Sequence, residues 1–484
     1  MAVQKYWRKY VLIVLAAFAG GPLAAAPEFF NADAPLDLTG DFDWSEFIQA
    51  PLPGADPDAR DNFGAFTEAM ANNAYSEAEI LAKQMVEAAS SEDSNELARA
   101  RALQNLAAAQ QTIGEHESAR QNFLASILAV SAAKDNLSPD LVKPLRGLAA
   151  TFVSSQQPEQ AFATYDKALH ISNVNFGPHS LAQMPILQAR LQLMMELDDP
   201  GAALDVLERV DMLYTRKFER YSAEMLPGLY LQAKFYSELG VKMEERNAWR
   251  HILAIKQRTL EDDDPGLIEP NIRLASIYMR SMRSDAFRAV SSSSAEKHLK
   301  TALRIAKNSP DATWEMRKEC LLSLADFYTL FDLKARARRY YGEAWTFLSV
   351  NDELLRARAD SFDAPVPLSR PDPDRYAHIE IMSDYEQIEQ DDYLEGEVTV
   401  RFAIDERGRT QDIDVVAATP EDFTRMEIRA RNAVDSFVYR PRFVDGQPVS
   451  TDDLEYRFQY YYLPSVYASA LEKSAKRNRS WQSR

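Results

Sequence analysis

The strongest constraint on this chain is a frame of small residues that recurs along residues 62–350, where one segment after another has helical periodicity. Leu148-Ala149 and Phe152, followed by Ala161, Tyr165 and Ala168, put small side chains where two antiparallel helices touch and larger ones where the next pair docks. The frame returns at intervals of about 33 to 45 residues. It reads as Leu106-Ala107, Ala119, Phe123 and Ser126; as Leu187, Leu191, Ala203, Leu207 and Val210; and as Ala325, Ala337, Tyr341 and Ala344. Weaker copies are Ala78, Ala82 and Met85; Ala233, Tyr236, Trp249 and Ile252; and Leu274-Ala275, Tyr278, Ala295, Leu299 and Ala302. A larger side chain at Ala107, Ala149 or Ala161 would wedge the helices apart, an overpacking that costs about 1–3 kcal/mol. One such hairpin cannot bury its apolar face alone, and about three stacked copies are needed for stability. Seven copies exceed that number.

These spacings resemble those of tetratricopeptide repeats, most fully over 97–174 and 317–350. The resemblance implies an all-α solenoid whose surface binds proteins or peptides instead of carrying out chemistry. In the last weak copy the turn is lengthened around Ser281–Ser294, and its Ser run reads as a mobile loop.

A different periodicity governs residues 376–463. Val398, Val400, Phe402 and Ile404 alternate with Glu397, Thr399 and Arg401, which is a strand with one apolar face. Gly408 supplies a turn, and Gln411–Ala418 resumes the alternation, which makes a hairpin. Thr419-Pro420-Glu421-Asp422 offers a helix start, and Phe423, Met426, Ala430, Ala433, Val434 and Phe437 recur at helical spacing. Leu454, Tyr456, Phe458, Tyr460 and Tyr462 then alternate with polar residues in a last strand, which Pro464 ends. The plan is a small α+β domain of order ββαβ.

The joint pattern resembles the C-terminal domain of the TonB family of periplasmic energy transducers. The residues that carry it are Gly396 with its alternating apolar partners, Gly408 in the turn, the Ala-rich helix, Tyr439-Arg440-Pro441-Arg442-Phe443, and Gly446 with Pro448-Val449. The resemblance implies that the last strand adds an extended peptide from an outer-membrane transporter, with backbone groups giving affinity and side-chain pockets giving specificity. The expected partner edge is Leu454, Tyr456, Phe458, Tyr460 and Tyr462. Gly396, Gly408, Tyr439, Arg440, Pro441, Arg442, Gly446 and Pro448 are expected to be structural, because Pro441 fixes the chain entering a tight loop. The Arg pair is suited to anchoring buried acids.

Residues 1–25 have the form of an export signal: Lys5, Arg8 and Lys9 precede an apolar run, and Leu23-Ala24-Ala25-Ala26 offers small residues for cleavage. The run is about nine to eleven residues, against the roughly twenty of a spanning helix. Cleavage gives a periplasmic protein of a Gram-negative bacterium; retention gives one anchored in the inner membrane and facing the periplasm. Unlike a TonB transducer, the chain has no His or Ser in this leader and has a solenoid where the long spacer would be.

Residues 26–61 are rich in Pro and acids and read as an extended or disordered arm, although Phe29, Phe30, Trp44 and Phe47 are apolar enough to pin it to the helices. Residues 361–375 carry four prolines in nine residues, a semi-rigid spacer. Residues 464–484 form a basic tail with Lys473, Lys476, Arg477 and Arg479. The tail reads as a solvated, flexible end, with contact to anionic lipid or an acidic partner as the alternative; membrane contact is open only to this tail and the leader. Ile379, Ile381, Tyr385 and Ile388 fit a helix and an added strand equally.

The formal charge is −18, which argues against nucleic-acid binding, since phosphate affinity needs clustered Lys and Arg. The single Cys320 permits no internal disulfide and sits in a leucine-rich helix as a buried thiol. The six histidines are dispersed, with His298 expected on a helix surface, and no metal-ligand pairing, nucleophile elbow, P-loop or dinucleotide motif is present. The sequence therefore predicts no catalytic residues, metal or cofactor, and protein or peptide partners; it leaves the oligomeric state open.

Overall fold

The computed structural model describes residues 44–471 except 54, 56, 91–94, 281–287, 372–392 and 469. The expected export leader, most of the arm, part of the spacer, the ambiguous segment before the sheet and most of the basic tail lie outside the described residues. The remainder falls into two compact bodies, one ending at Thr259 and one beginning at Leu260.

The first body is built of five helical hairpins: α1 (Pro57–Ala71) with α2 (Tyr75–Ala88), α3 (Glu96–Thr112) with α4 (His116–Ala133), α5 (Val142–Ser154) with α6 (Pro158–Phe176), α7 (Met184–Glu196) with α8 (Pro200–Lys217), and α9 (Leu226–Glu238) with α10 (Lys242–Thr259). The predicted contact residues Ala78, Ala107, Ala119, Ala149, Ala161 and Ala203 are wholly buried. Each hairpin turns through a left-handed residue, at Asn73, Gly114, Gln156, Asp198 and Gly240. The carbonyls left over at each helix end are taken up there: Gly114 N–H donates to Gln111 O and Glu115 N–H to Gln110 O, and the other four turns repeat the pair. Between hairpins, Ser138 and Ser180 cap short 3₁₀ turns that lead into α5 and α7. The arm contributes as well: Phe47 is buried, and Trp44 and Ile48 pack on the core of α1–α3.

The second body opens with two more hairpins, α11 (Ile268–Arg280) with α12 (Arg288–Asn308) and α13 (Trp314–Leu330) with α14 (Lys334–Phe347), followed by α15 (Asp352–Phe362). The Ser run expected as a loop lies inside α12, because Ala295, Leu299 and Ala302 anchor that helix with no exposed area, and serine costs a helix only a few tenths of a kcal/mol relative to its better formers. Asp264, the last of three successive aspartates, caps the 3₁₀ turn before α11 by accepting from Gly266 N–H.

The rest of this body is a three-stranded antiparallel sheet in the order β3-β2-β7, formed by β2 (Leu394–Ile404), β3 (Thr410–Thr419) and β7 (Thr451–Tyr462). Helix α16 (Thr424–Asp435) covers one face, and Met426, Ala430 and Val434 meet Val398, Val400, Phe402 and Ile404. The helix begins later than the expected start at Thr419, since β3 runs on through that residue and Phe423 is the cap. Within the spacer, Val366–Ser369 is extended but paired: it forms β1, antiparallel to β4 (Val438–Arg440). The chain then makes a small ladder of β5 (Arg442–Val444) and β6 (Gln447–Val449).

Candidate partner-binding surfaces

Strand β7 pairs with β2 from Leu394↔Tyr462 to Ile404↔Thr451 and, among the described residues, with no strand on its other side. Side chains alternate across it. Phe458, Tyr460 and Tyr462 are buried and Leu454 and Tyr456 half-buried, all on the α16 side, where Tyr460 and Tyr462 meet the Phe423 ring edge-on at 5.9 Å. These five residues, expected as a partner ladder, are the wall of the domain's own core. Burial pushes the Tyr460 hydroxyl far above its ordinary pKa. What β7 presents outward is its backbone edge and a polar face of Glu455, Arg457 and Gln459. Gly396 lies opposite Tyr460, whose ring crosses it so closely that an added Cβ would come within 2.4 Å.

Residues 439–443 face the helices. Gly408, at φ +79°, lets the chain pass so near Tyr439 that its carbonyl accepts the Tyr439 N–H at 2.8 Å. Arg440 then enters α13 with its guanidinium in a fork: Nε donates to Asp326 Oδ1 at 2.9 Å, Nη2 to Asp326 Oδ2 at 2.7 Å, and Nη1 to the Ser361 carbonyl at 3.2 Å. Tyr341 Oη donates to the same carboxylate at 2.7 Å. The pair is dry, with side-chain exposures of 6% and 15%. Burial disfavours the Arg440 charge, but Asp326 outweighs it and holds the pKa above its ordinary value. Burial, then the Asp326 charge, lifts the Tyr341 phenol well above its usual range.

Apolar contacts surround the fork. Phe443 meets Phe362 at 4.8 Å and Tyr341 at 5.3 Å, and Gly446, also left-handed, lies against the Trp345 indole. Pro441 is buried, Arg442 half-buried, and Pro448 pairs with Phe443 across β5–β6. Arg409 Nη2 donates to the Thr329 carbonyl at 3.2 Å. Arg370, just after β1, places its guanidinium 5.4 Å from the Phe437 ring and 5.6 Å from that of Tyr456. The Tyr-Arg-Pro-Arg segment is thus a brace between the sheet and α13–α15. The acid that receives Arg440 comes from a helical repeat; Asp326 follows Ala325, the small residue of that frame.

Nothing among the described residues gathers three or more His, Cys, Asp or Glu as a metal site. His298, expected on the surface, is half-buried and bonded to Asn271 Oδ1 at 2.8 Å. Cys320 is fully buried, and burial drives its thiol pKa far up, away from reactivity.

Residues 383–460 match the family model described as Gram-negative bacterial TonB protein C-terminal. No curated protein matches the chain. Among solved structures, BtubC (BKLC) from P. vanneervenii is 18% identical with a TM-score of 0.36, covering 50% of this chain and 95% of its own. The apo form of the quorum sensor NprR from B. thuringiensis is 8% identical with a TM-score of 0.31, covering 61% and 90%. At such scores neither likeness carries an argument. The helices through α14 are antiparallel hairpins, and the small α+β domain that follows α15 matches the TonB C-terminal family model within residues 383–460.

Proposed function

We propose that this chain is a non-enzymatic adaptor of the Gram-negative envelope, which holds protein partners through its helical repeats and by strand addition at β7. One observation carries the reading: the last strand of a TonB C-terminal domain sits at the edge of its sheet with its apolar side chains turned inward. An edge of that kind offers backbone donors and acceptors to an extended segment, while Glu455, Arg457 and Gln459 offer it polar contacts. Outer-membrane proteins are the partner class with which such domains interact, and an outer-membrane transporter is the partner we favour. A photoreactive residue placed at Arg457 or Gln459 should cross-link to a discrete outer-membrane protein in envelope preparations, whereas the same residue at exposed Asn432 on α16 should not. Equal cross-linking from the two places would defeat the reading.

The family match also favours a second reading, an inner-membrane-anchored energy transducer with its apolar N-terminal segment retained. No helix among the described residues is long and apolar enough to cross a membrane, and residues 10–22 lie outside them. Intact-mass measurement separates the two: a mature start near Ala26 removes the transducer, and a mass that includes residues 1–25 supports it.

A further inference from the structure

We propose that residues 44–51 occupy, in cis, a peptide-binding groove on α3 and α5, and that the groove's partner is an extended segment of another protein with an acidic residue immediately before an aromatic one. The inference rests on reading the helical repeats as a binding module and names the ligand they take.

After a single 3₁₀ turn at Trp44–Glu46, residues 48–52 are in neither helix nor strand, so their backbone groups must bond elsewhere. Side chains of α3 meet them. Gln49 N–H donates to Asn105 Oδ1 at 2.7 Å, and Asn105 Nδ2 donates back to Gln49 O at 3.0 Å, so one amide reads both polar groups of one residue. Gln104 Nε2 donates to Phe47 O, and Arg101 Nη1 to Ala50 O at 2.8 Å. Asn105 and Gln104 are polar residues in mid-helix that are buried where the segment lies on them. This row of donors and acceptors imitates a strand edge. It binds extended backbone of any sequence.

Two side chains supply the selectivity. Phe47 packs edge-on against Phe123, with ring centres 6.4 Å apart, and beneath the Arg146 guanidinium at 5.3 Å. Glu46 pairs with that same guanidinium. Lys143 and Arg101 add positive charge: burial, then repulsion from Arg146, holds the Lys143 pKa below its usual range, with Arg101 contributing and Glu46 opposing. The site thus sets three cations against one carboxylate, which favours an acidic segment. The occupant is lightly held, since Phe47 is its one deeply buried side chain and Glu46 keeps 45% of its side chain exposed. A short tether supplies the rest, because it gives a cis segment an effective concentration on the order of mM.

The probe is a fluorescein-labelled peptide with the sequence of residues 43–52, read by anisotropy against the full chain. The double variant Glu46→Ala, Phe47→Ala, which weakens the incumbent and leaves the groove intact, should bind it at least tenfold tighter than the unaltered protein. Adding Asn105→Ala should lose that gain without changing the circular-dichroism spectrum. A folded double variant that binds no tighter, or binding indifferent to Asn105, overturns the proposal; so does a complex of two chains exchanging arms in place of chain plus peptide. If the double variant does not fold, hydrogen exchange on the unaltered chain decides: the Gln49 amide should exchange at least a hundredfold faster than that of Leu106, and equal protection makes the segment permanent core. Should the peptide fail while cross-links at β7 persist, this inference falls and the adaptor reading stands on β7.

Discussion

Two non-helical segments lie on helical repeats in this molecule, and they are held by opposite means. Arg440 of the C-terminal domain is driven into α13 as a dry, bidentate ion pair, ringed by Phe443, Phe362 and Tyr341. Residues 46–50 lie on α3 and α5 through side-chain amides and an ion pair whose acid is half in water. A desolvated charge cannot let go without leaving its partner stranded, whereas water can reach the half-buried Gln49 and replace the amide that reads its backbone. The first contact is suited to a permanent joint and the second to exchange. The difference lies in the dielectric around the charge more than in the number of bonds.

The most direct way to break the comparison is at Asp326. Asp326→Ala leaves the Arg440 guanidinium buried and unpaired, and such losses cost about 3–5 kcal/mol. Urea unfolding of the full chain should show the second body destabilised by that order and the first unchanged. Replacing both partners, as Asp326→Leu with Arg440→Met, should cost far less, because no charge is then left behind. If the double change costs as much as the single one, the joint is held by packing and the ion pair is incidental.

Gly408→Ala attacks the same joint from its approach. The position is left-handed, which costs other residues about 1–3 kcal/mol, and the new Cβ would meet the Tyr439 carbonyl at 1.8 Å. The expected result is a loss at the upper end of that range, together with a shift of Arg440 from Asp326 that is visible as weakened protection of the Tyr439 amide. Asn105→Ala, the corresponding change under the arm, should cost about 1 kcal/mol, since water can take over the Gln49 groups that lose a partner. It should raise proteolysis between residues 44 and 56 without lowering the melting midpoint of the α5–α10 hairpins.

The helical repeats were legible because their signal is steric: Ala107, Ala149 and Ala161 are small for one reason, helix contact, and all three are wholly buried. The ββαβ plan was legible because alternation and helical spacing are local. The apolar ladder of β7 misled in one respect: alternation reveals that two faces differ, and the covering helix decides which of them is core. The structural role of the Tyr-Arg-Pro-Arg segment and the pinning of the arm were readable as types of contact, but the residues that receive them were hidden for another reason. Asp326 and Arg440, or Asn105 and Gln49, are far apart in the chain, and a lone polar residue in a helical pattern reads as surface. The signal that could have found them is polar residues at core positions. Gln104 and Asn105 interrupt the apolar face of α3 beside Leu103 and Leu106, and Asp326 follows directly on Ala325.

The smallest expected effect concerns a second acid beside the joint. Glu319, on α13, is pushed above the usual carboxylate range by burial; Arg440 opposes the shift and Asp326 adds to it. A raised folded pKa means that the folded state holds the proton more tightly than the unfolded chain, whose glutamates titrate at about 4.3. The stability this group contributes is full below that value and is lost as pH rises through its folded pKa. Glu319→Gln cannot ionise and keeps an oxygen for the Ser323 hydroxyl, which lies 3.3 Å from Glu319 Oε1. The variant should therefore gain on the unaltered chain in urea unfolding as pH rises above the unfolded value, by a margin that widens until the raised folded pKa is passed and is constant beyond it. In the Asp326→Ala background the order should reverse, because Arg440, stripped of its partner, would then need the Glu319 charge. A reversal makes the brace a site with one guanidinium and room for one carboxylate, filled by Asp326; a margin that persists unchanged separates Glu319 from the joint altogether.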